Sequence, residues 1–346
     1  MHIGFYNFYE FYNKNRMFND SSSPIGDDLV YPYVYLAEYA KQRNIKVSTI
    51  DMEDISSYNS IVFLDFPTFR NKYFCNLIKN KFPNLYLVIL ESVIHKPDNW
   101  NMSNHKYFRK IFTWNDNFID NKKYIKINYA QKVPINLEFD LKDKQKLCVM
   151  IAGNKFEYHP LELYSERIKA IRWFEKNNPQ DFDLYGIGWD RYYFRGIFKK
   201  INRLYLITKL FRPTYHSYKG QIKSKRDVLK NYKFSICYEN IRDIPGYITE
   251  KIFDCFFAGC VPVYLGAPNI IQHIPPNCFI DKRNYKTYEE LYSYMKNMQE
   301  KEYMGYLEAI KNFIYSKRFY PFSVECFVKT LLENVIEDNN EGKFIS

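Results

Sequence analysis

The chain has 346 residues, of which 50 are Lys or Arg and 39 are Asp or Glu, giving a formal net charge of +11. That length exceeds what one hydrophobic core sustains, so two domains are expected. A hydrophobic share of 46% and an aromatic share of 19% exclude intrinsic disorder, and 12 Gly with 15 Pro exclude collagen-like and low-complexity classes. The charge is local: Arg191 to Arg226 holds eleven cations and no Asp or Glu, so the rest of the chain is neutral. A local basic insert asks a narrower question than a protein basic all over.

In chain order, short β-branched or aromatic runs at 2–8, 45–51, 61–67 and 85–91 read as strands. Helical spacing lies between them at 29–43 and 68–80, and runs at 110–115 and 124–128 extend the same sheet. The polar stretch 13–28 is expected to be a loop. Residues 132–146 are polar and charge-mixed and read as a linker. The alternation restarts with strands at 147–152, 182–188, 232–238 and 261–265 and helices at 161–176 and 249–258. Three helical stretches follow at 288–297, 301–316 and 323–337, and the tail from residue 338 is expected to fray. Strand–helix alternation of this kind predicts parallel sheets covered on both faces, with ligands at the C-terminal strand ends. The N-terminal run MHIGFYNFYEFYNKN reads as a first strand and not as an export signal. No apolar run approaches the ~18–20 residues of a membrane span. Seven singly spaced cysteines read as reduced thiols of a cytosolic chain, acting as small core hydrophobes.

The densest constellation is YKFSICYENIRDIPGYITEKIFDCFFAGCVPVYLG, residues 232–266. An apolar strand ends in Glu239 and Asn240, a Pro245-Gly246 turn follows, and Thr249 is placed to cap a helix opening with Glu250-Lys251. A helix N-terminus offers free N–H groups to phosphate, a Lys in its first turn adds positive charge, and a Glu accepts from ribose hydroxyls. The same features also serve any βαβ unit, which needs a capped helix and a glycine stop such as Gly259. Both readings stay open on the residues alone.

The segment YENxxxxxGYITEKIFxxxxAGxVPVYLG resembles, in order and spacing, the signature of the α1,3/α1,4-fucosyltransferases, bacterial-type enzymes that depend on GDP-fucose. SKRDVLKNYKFSICYEN (224–240), MIAGNKFEYHPLELYSERIKAIRWFE (150–175) and FTWNDNFIDNKKYIKINYA (112–130) are similar to neighbouring parts of the family, so the resemblance covers about residues 85–285. It implies an α/β, GT-B fold: two doubly wound Rossmann-like domains facing a cleft, an acceptor domain first and a donor domain second. It also implies metal-independent, inverting transfer of L-fucose. By motif position, Glu250 would hold ribose or fucose hydroxyls, Lys251 and Arg167 would face the pyrophosphate, and Tyr247 and Asn240 would line the donor pocket. Glu91, in LVILESVIHKPDNW, sits where the family places its acceptor-side carboxylate and would be the catalytic base.

Those residue types suit the chemistry, because one displacement at an anomeric carbon needs a base on the acceptor hydroxyl and positive charge on the departing diphosphate. Asp181-Phe182-Asp183 spells a metal-site pattern but precedes an apolar strand and reads as structural. The six histidines lack zinc spacings. Gly186-Ile187-Gly188 reads as a turn near the donor. His95 either touches the acceptor or is a surface-loop residue, and Trp114 and Trp189 read as core before sugar platforms.

The insert has three readings. Its aromatics and cations interleave at near-helical spacing, as in a basic amphipathic helix lying in an anionic membrane interface. Alternatively it packs on the donor domain beside the nucleotide, which its 214–226 portion favours. Nucleic acid is set aside, since basic charge alone gives only non-specific affinity.

The resulting expectation is an acceptor domain at 1–135, a GDP-sugar domain at 136–320 with the basic aromatic insert at 191–226, and a C-terminal helix and tail at 321–346. The partners are GDP-fucose, as donor substrate with no cofactor and no metal, and an oligosaccharide or lipid-linked glycan acceptor such as lipopolysaccharide. The expected location is cytoplasmic, with peripheral contact on the inner, anionic face of the cytoplasmic membrane. Two alternatives stand beside it: the same fold using another nucleotide sugar, or an inactive membrane-associated glycan-binding relative.

Overall fold

A computed structural model describes residues 1–20, 27–139, 141–194 and 196–341. The chain forms two compact units. The first comprises Met1–Val133, Ile244–Glu250 and the chain from Ser316; the second comprises Pro134–Asp243 and Lys251–Tyr315. This partition is less linear than boundaries at 135 and 320, because a short central stretch and the C-terminal helix both join the first unit.

The first unit is built on strands β1 (His2–Tyr6), β2 (Lys46–Thr49), β3 (Ser60–Leu64), β4 (Leu85–Ile89), β5 (Lys110–Thr113) and β6 (Tyr124–Lys126), with helices α1 (Arg16–Asn19), α2 (Tyr31–Lys41) and α3 (Lys72–Lys79). All neighbours are parallel, in the order β2-β1-β3-β4-β5-β6. Alternation along the strands splits the core between two faces. Ile3, Phe5, Val62, Leu64 and Val88 pack with α2 and the C-terminal helix, whereas Ile61, Phe63, Leu85, Leu87 and Ile89 pack with Phe74 and Leu77 of α3.

The second unit holds β7 (Lys146–Ile151), α4 (Tyr164–Asn177), β8 (Phe182–Tyr185), α5 (Tyr205–Leu210), β9 (Tyr218–Gly220), α6 (Lys225–Leu229), β10 (Tyr232–Tyr238), β11 (Val261–Leu265), α8 (Ile270–His273), β12 (Ile280–Asp281), α9 (Tyr288–Asn297) and α10 (Glu300–Ile314), along with most of α7 (Glu250–Phe257). Its sheet is again wholly parallel, ordered β12-β11-β10-β7-β8-β9. The order reverses between β7 and β10, so the end of β10 lies at the topological switch point where open α/β sheets bind ligands. Two doubly wound six-stranded sheets fulfil the α/β expectation.

Three expectations need correction. The second strand of the donor sheet stops at Tyr185 and not at 188, because Gly186 turns with φ +135° and a Cβ there would meet the Ala152 carbonyl oxygen at 2.0 Å. The C-terminal helix α11 (Val324–Glu341) includes 338–341, the start of the tail expected to fray, since Asp338 is buried and receives Tyr86, Arg109 and Lys110; the rest of that tail, 342–346, lies outside the described residues. The loop at 13–28 contains the helical turn α1, and its residues 21–26 lie outside the described chain. Among the described residues no helix is long and apolar enough to cross a membrane.

Candidate active site

On the second unit, the site grows from the C-terminal end of β10. Burial of Tyr232, Phe234 to Tyr238 and Glu239 carries the strand's last carbonyls into the interior, where they need donors. Arg167 of α4 supplies them: its Nη2 donates to the carbonyls of Tyr238 (2.7 Å) and Glu239 (2.8 Å) and to Asn240 Oδ1 (3.0 Å). The guanidinium therefore fixes the β10 end and orients the Asn240 amide, while its plane lies over Tyr164 at 5.1 Å. Next in sequence, the Glu239 side chain is wholly buried and accepts Lys251 Nζ at 3.2 Å. Sequence reasoning passed over Glu239, although a Glu closing an apolar strand twelve residues before a helix-opening Lys was a signal for it. Further along α7, Lys225 Nζ holds Asp254 Oδ2 at 2.7 Å.

Arg167, Asn240 and Lys251 are thus brought together in the second unit. Glu91, Tyr247 and Glu250 belong to the first. There the stretch Ile244–Glu250 is tied down by Pro245, whose carbonyl accepts Asp116 N–H, and by Gly246, whose φ of +80° places it against the Trp114 carbonyl. A Cβ on Gly246 would stand 2.2 Å from that oxygen. Tyr247 is buried, with ring centroids 4.6 Å from Trp114 and 6.2 Å from Tyr129.

Glu91 follows β4, and its backbone is held from both sides. Asp65, at the end of β3 with φ +62°, accepts on Oδ1 from Leu90 N (2.8 Å), Glu91 N (3.0 Å) and Asn99 Nδ2 (2.7 Å). Trp114 Nε1 and Tyr129 Oη donate to the Leu90 carbonyl, and Trp100 Nε1 donates to that of Glu91 at 3.2 Å. On this fixed backbone the Glu91 side chain is 42% exposed, with His95 Nδ1 at 3.2 Å from its Oε2. His95 is therefore a neighbour of the candidate base and largely buried. Burial pushes the Asp65 carboxyl up to about 6, against the donors from Glu91, Leu90 and Asn99 that favour its charge. Burial also drives the Tyr129 hydroxyl well up, reinforced by Tyr247, Glu91, Asp65 and Glu250. Tyr129 and Asp65 thus share an electrostatic neighbourhood with the predicted Glu91, Tyr247 and Glu250, and neither carried a motif that marked it.

The remaining candidates serve structure. Asp183 receives Tyr232 Oη (2.6 Å) with Lys146 and Lys219, and Asp181 pairs with Lys296 at 2.7 Å. Trp114 and Trp189 are core residues whose indoles donate to the carbonyls of Leu90 and Ala152. The first part of the insert forms two short helices, a 3₁₀ stretch Gly196–Arg203 and α5, where the spacing suggested one; the helical run is interrupted at Leu204 (φ −94°, ψ 86°). Arg195, counted among the insert's cations, lies outside the described residues.

Residues 195–329 match the family model described as glycosyltransferase family 10 (fucosyltransferase), C-terminal part. The chain is 31% identical over 130 residues to the α-(1,3)-fucosyltransferase FucT of Helicobacter pylori, covering 34% of this chain and 27% of that protein. It is 36% identical over 70 residues to the α-(1,4)-fucosyltransferase of Arabidopsis thaliana, covering 20% and 17% respectively. These alignments therefore span about a quarter or less of the relatives' length. Among solved structures, an α1,3-fucosyltransferase with GDP superposes with a TM-score of 0.55 at 15% identity, over 97% of this chain and 90% of that one. The HepE protein of Anabaena in complex with UDP-glucose gives 0.54 at 10% identity, over 97% and 100%. Both likenesses identify the fold as GT-B. The matched segment, residues 195–329, contains the signature at the β10 end and is similar to the C-terminal part of glycosyltransferase family 10, the fucosyltransferases.

Proposed function

We propose that the protein transfers L-fucose from GDP-β-L-fucose, with inversion, to a hydroxyl of a surface glycan, GlcNAc O3 or O4 of a lipopolysaccharide-type chain. The observation that carries this reading is the family-10 segment with Arg167, Asn240 and Lys251 gathered at the switch-point end of β10. In the reaction the acceptor oxygen attacks C1 of fucose, the C1–O bond to GDP breaks, the acceptor proton passes to Glu91, and the electron pair leaves on the β-phosphate. Glu91 suits the first role because its carboxylate is accessible while its backbone is immobile. Lys251 and Arg167 suit the second: held in place before the reaction, they meet developing charge without reorganisation, as a metal ion otherwise would. Glu250 would hold sugar hydroxyls, with Tyr247 and Asn240 beside the donor. The reading places the enzyme in the cytoplasm, peripheral on the inner membrane face, where a lipid-linked acceptor is presented.

A second reading, the same fold with another nucleotide sugar, is favoured by the UDP-glucose complex among the similar structures. A donor screen with GDP-fucose, GDP-mannose, UDP-glucose and dTDP-sugars, with and without EDTA, decides between them. Fucose transfer insensitive to EDTA is expected. Preference for another donor, or metal-dependent turnover, overturns the proposal, and no turnover with intact donor binding points to an inactive glycan-binding relative.

A further inference from the structure

Among the described residues, the insert from 197 to 212 carries its large apolar side chains on the outside. Several backbone groups beside it are paired locally. The Asn202 side chain accepts from Phe194 N–H and donates to Phe194 C=O (2.8 and 2.9 Å), and Tyr192 N–H reaches the Thr208 carbonyl at 2.7 Å. A surface helix normally buries an apolar stripe, but from Arg203 to Arg212 only Thr208 is buried. The large aliphatic tips point outward instead: Ile197 is 87% exposed, Leu206 81% and Leu210 80%, with Phe198, Leu204 and Phe211 also exposed. Leu206 and Leu210 stand four apart on α5 and so share one side of it. The cations Lys200, Arg203, Lys209 and Arg212 are exposed among them, with no acid in the stretch.

From this arrangement we infer that residues 197–212 form a docking knob for an anionic lipid bilayer, with the aliphatic tips entering the acyl boundary and the cations resting on headgroups. Charge complementarity selects an anionic surface. Ile197, Leu206 and Leu210, the most exposed tips, favour lipid because they add nothing to base stacking, and the exposed Phe198 and Phe211 suit an acyl boundary equally well. An apolar patch of this kind exposed to water is a liability unless something covers it, and insertion to ~5–10 Å covers it. The knob would hold the enzyme beside a lipid-linked acceptor; that benefit rests on the transferase reading, whereas the binding does not.

Co-sedimentation of the full chain with phosphatidylcholine vesicles, with and without phosphatidylglycerol, tests this without donor or acceptor. Binding to the anionic vesicles alone is expected, weakening with salt. The variant I197S/L206S/L210S and the variant K200E/R203E/K209E/R212E should each lose it by roughly tenfold or more, at unchanged melting temperature and unchanged donor binding. Equal sedimentation of wild type and variants, or no binding to anionic vesicles, overturns the proposal. So does tighter retention by single-stranded RNA than by vesicles, or self-association that consumes the same residues. Loss of fucose transfer with vesicle binding intact would instead refute only the transferase reading.

Discussion

Two glutamates occupy the same topological place, just beyond a parallel strand, and have opposite surroundings. Glu239 follows β10, is wholly buried and is neutralised by Lys251 at 3.2 Å. Glu91 follows β4 with its backbone clamped but its carboxylate 42% exposed. A buried, paired carboxylate sets the position of a cation and has no access to a substrate proton. An accessible carboxylate on a rigid backbone can take one. Side-chain type and strand position are shared, so burial and pairing separate the carboxylate that positions a cation from the one proposed as the base.

The comparison breaks first at Glu91. Glu91→Gln is expected to lower kcat by roughly 10²–10⁴-fold while GDP-fucose binding, read by calorimetry, stays intact; lost donor binding would move the base elsewhere. Next, Lys251→Ala or Arg167→Lys should lower kcat/KM by roughly 10²-fold, the latter because the Tyr238, Glu239 and Asn240 oxygens gathered at Nη2 would take all three ammonium protons and leave no second nitrogen for the diphosphate. Near-wild-type turnover in both would remove them from the diphosphate. Third, Lys251→Met strands the Glu239 charge and should cost roughly 3 kcal/mol in urea denaturation. Adding Glu239→Gln should restore most of that stability, and a simple sum of losses would show the pair uncoupled.

Smaller effects sharpen the Glu91 side. Asp65→Gly keeps the positive φ but removes the acceptor for Leu90 and Glu91, so kcat should fall roughly tenfold with donor KM unchanged. Asp65→Asn keeps both and should stay close to wild type; equal losses in the two variants would mean that charge, not positioning, matters. The smallest effect is on stability. The Asp65 carboxyl titrates near 6 in the folded chain against 3.8 normally, so the native state binds its proton more tightly within that window. Stability therefore falls as pH rises from about 4 to 6, and wild type should gain roughly 2 kcal/mol over Asp65→Asn as pH drops from 7 to 4. An unchanged difference across that range would show that Asp65 is not held near neutrality.

Most of the framework was legible because apolar period marks it. The strands at 232–238 and 261–265 and the helix at 288–297 form at the expected residues, the last closed by a Thr287/Glu290 capping box. The two- and three-residue strands β12 and β9 were not seen, being too short to display a period. The signature located Lys251 and Asn240 but not the ion pair of Lys251, because Glu239 becomes its partner only when the β10 end is buried. Asp65 was invisible for a related reason. Its function arises from a left-handed backbone at a strand end and from the adjacency of β3 and β4, and neither leaves a local pattern.

The order in which the chain is made adds a constraint. Val328, Leu331, Leu332 and Val335 of α11 complete the core around Ile3 and Phe5, yet they emerge after the whole second unit has been synthesised. At ~5–20 residues per second, one face of the first sheet waits roughly 10–40 s for its cover. The first unit is therefore finished last. A ribosome stalled or a chain cut before α11 leaves that sheet face covered by α1 and α2 alone, which makes the C-terminal helix the step that decides between a folded protein and an aggregate.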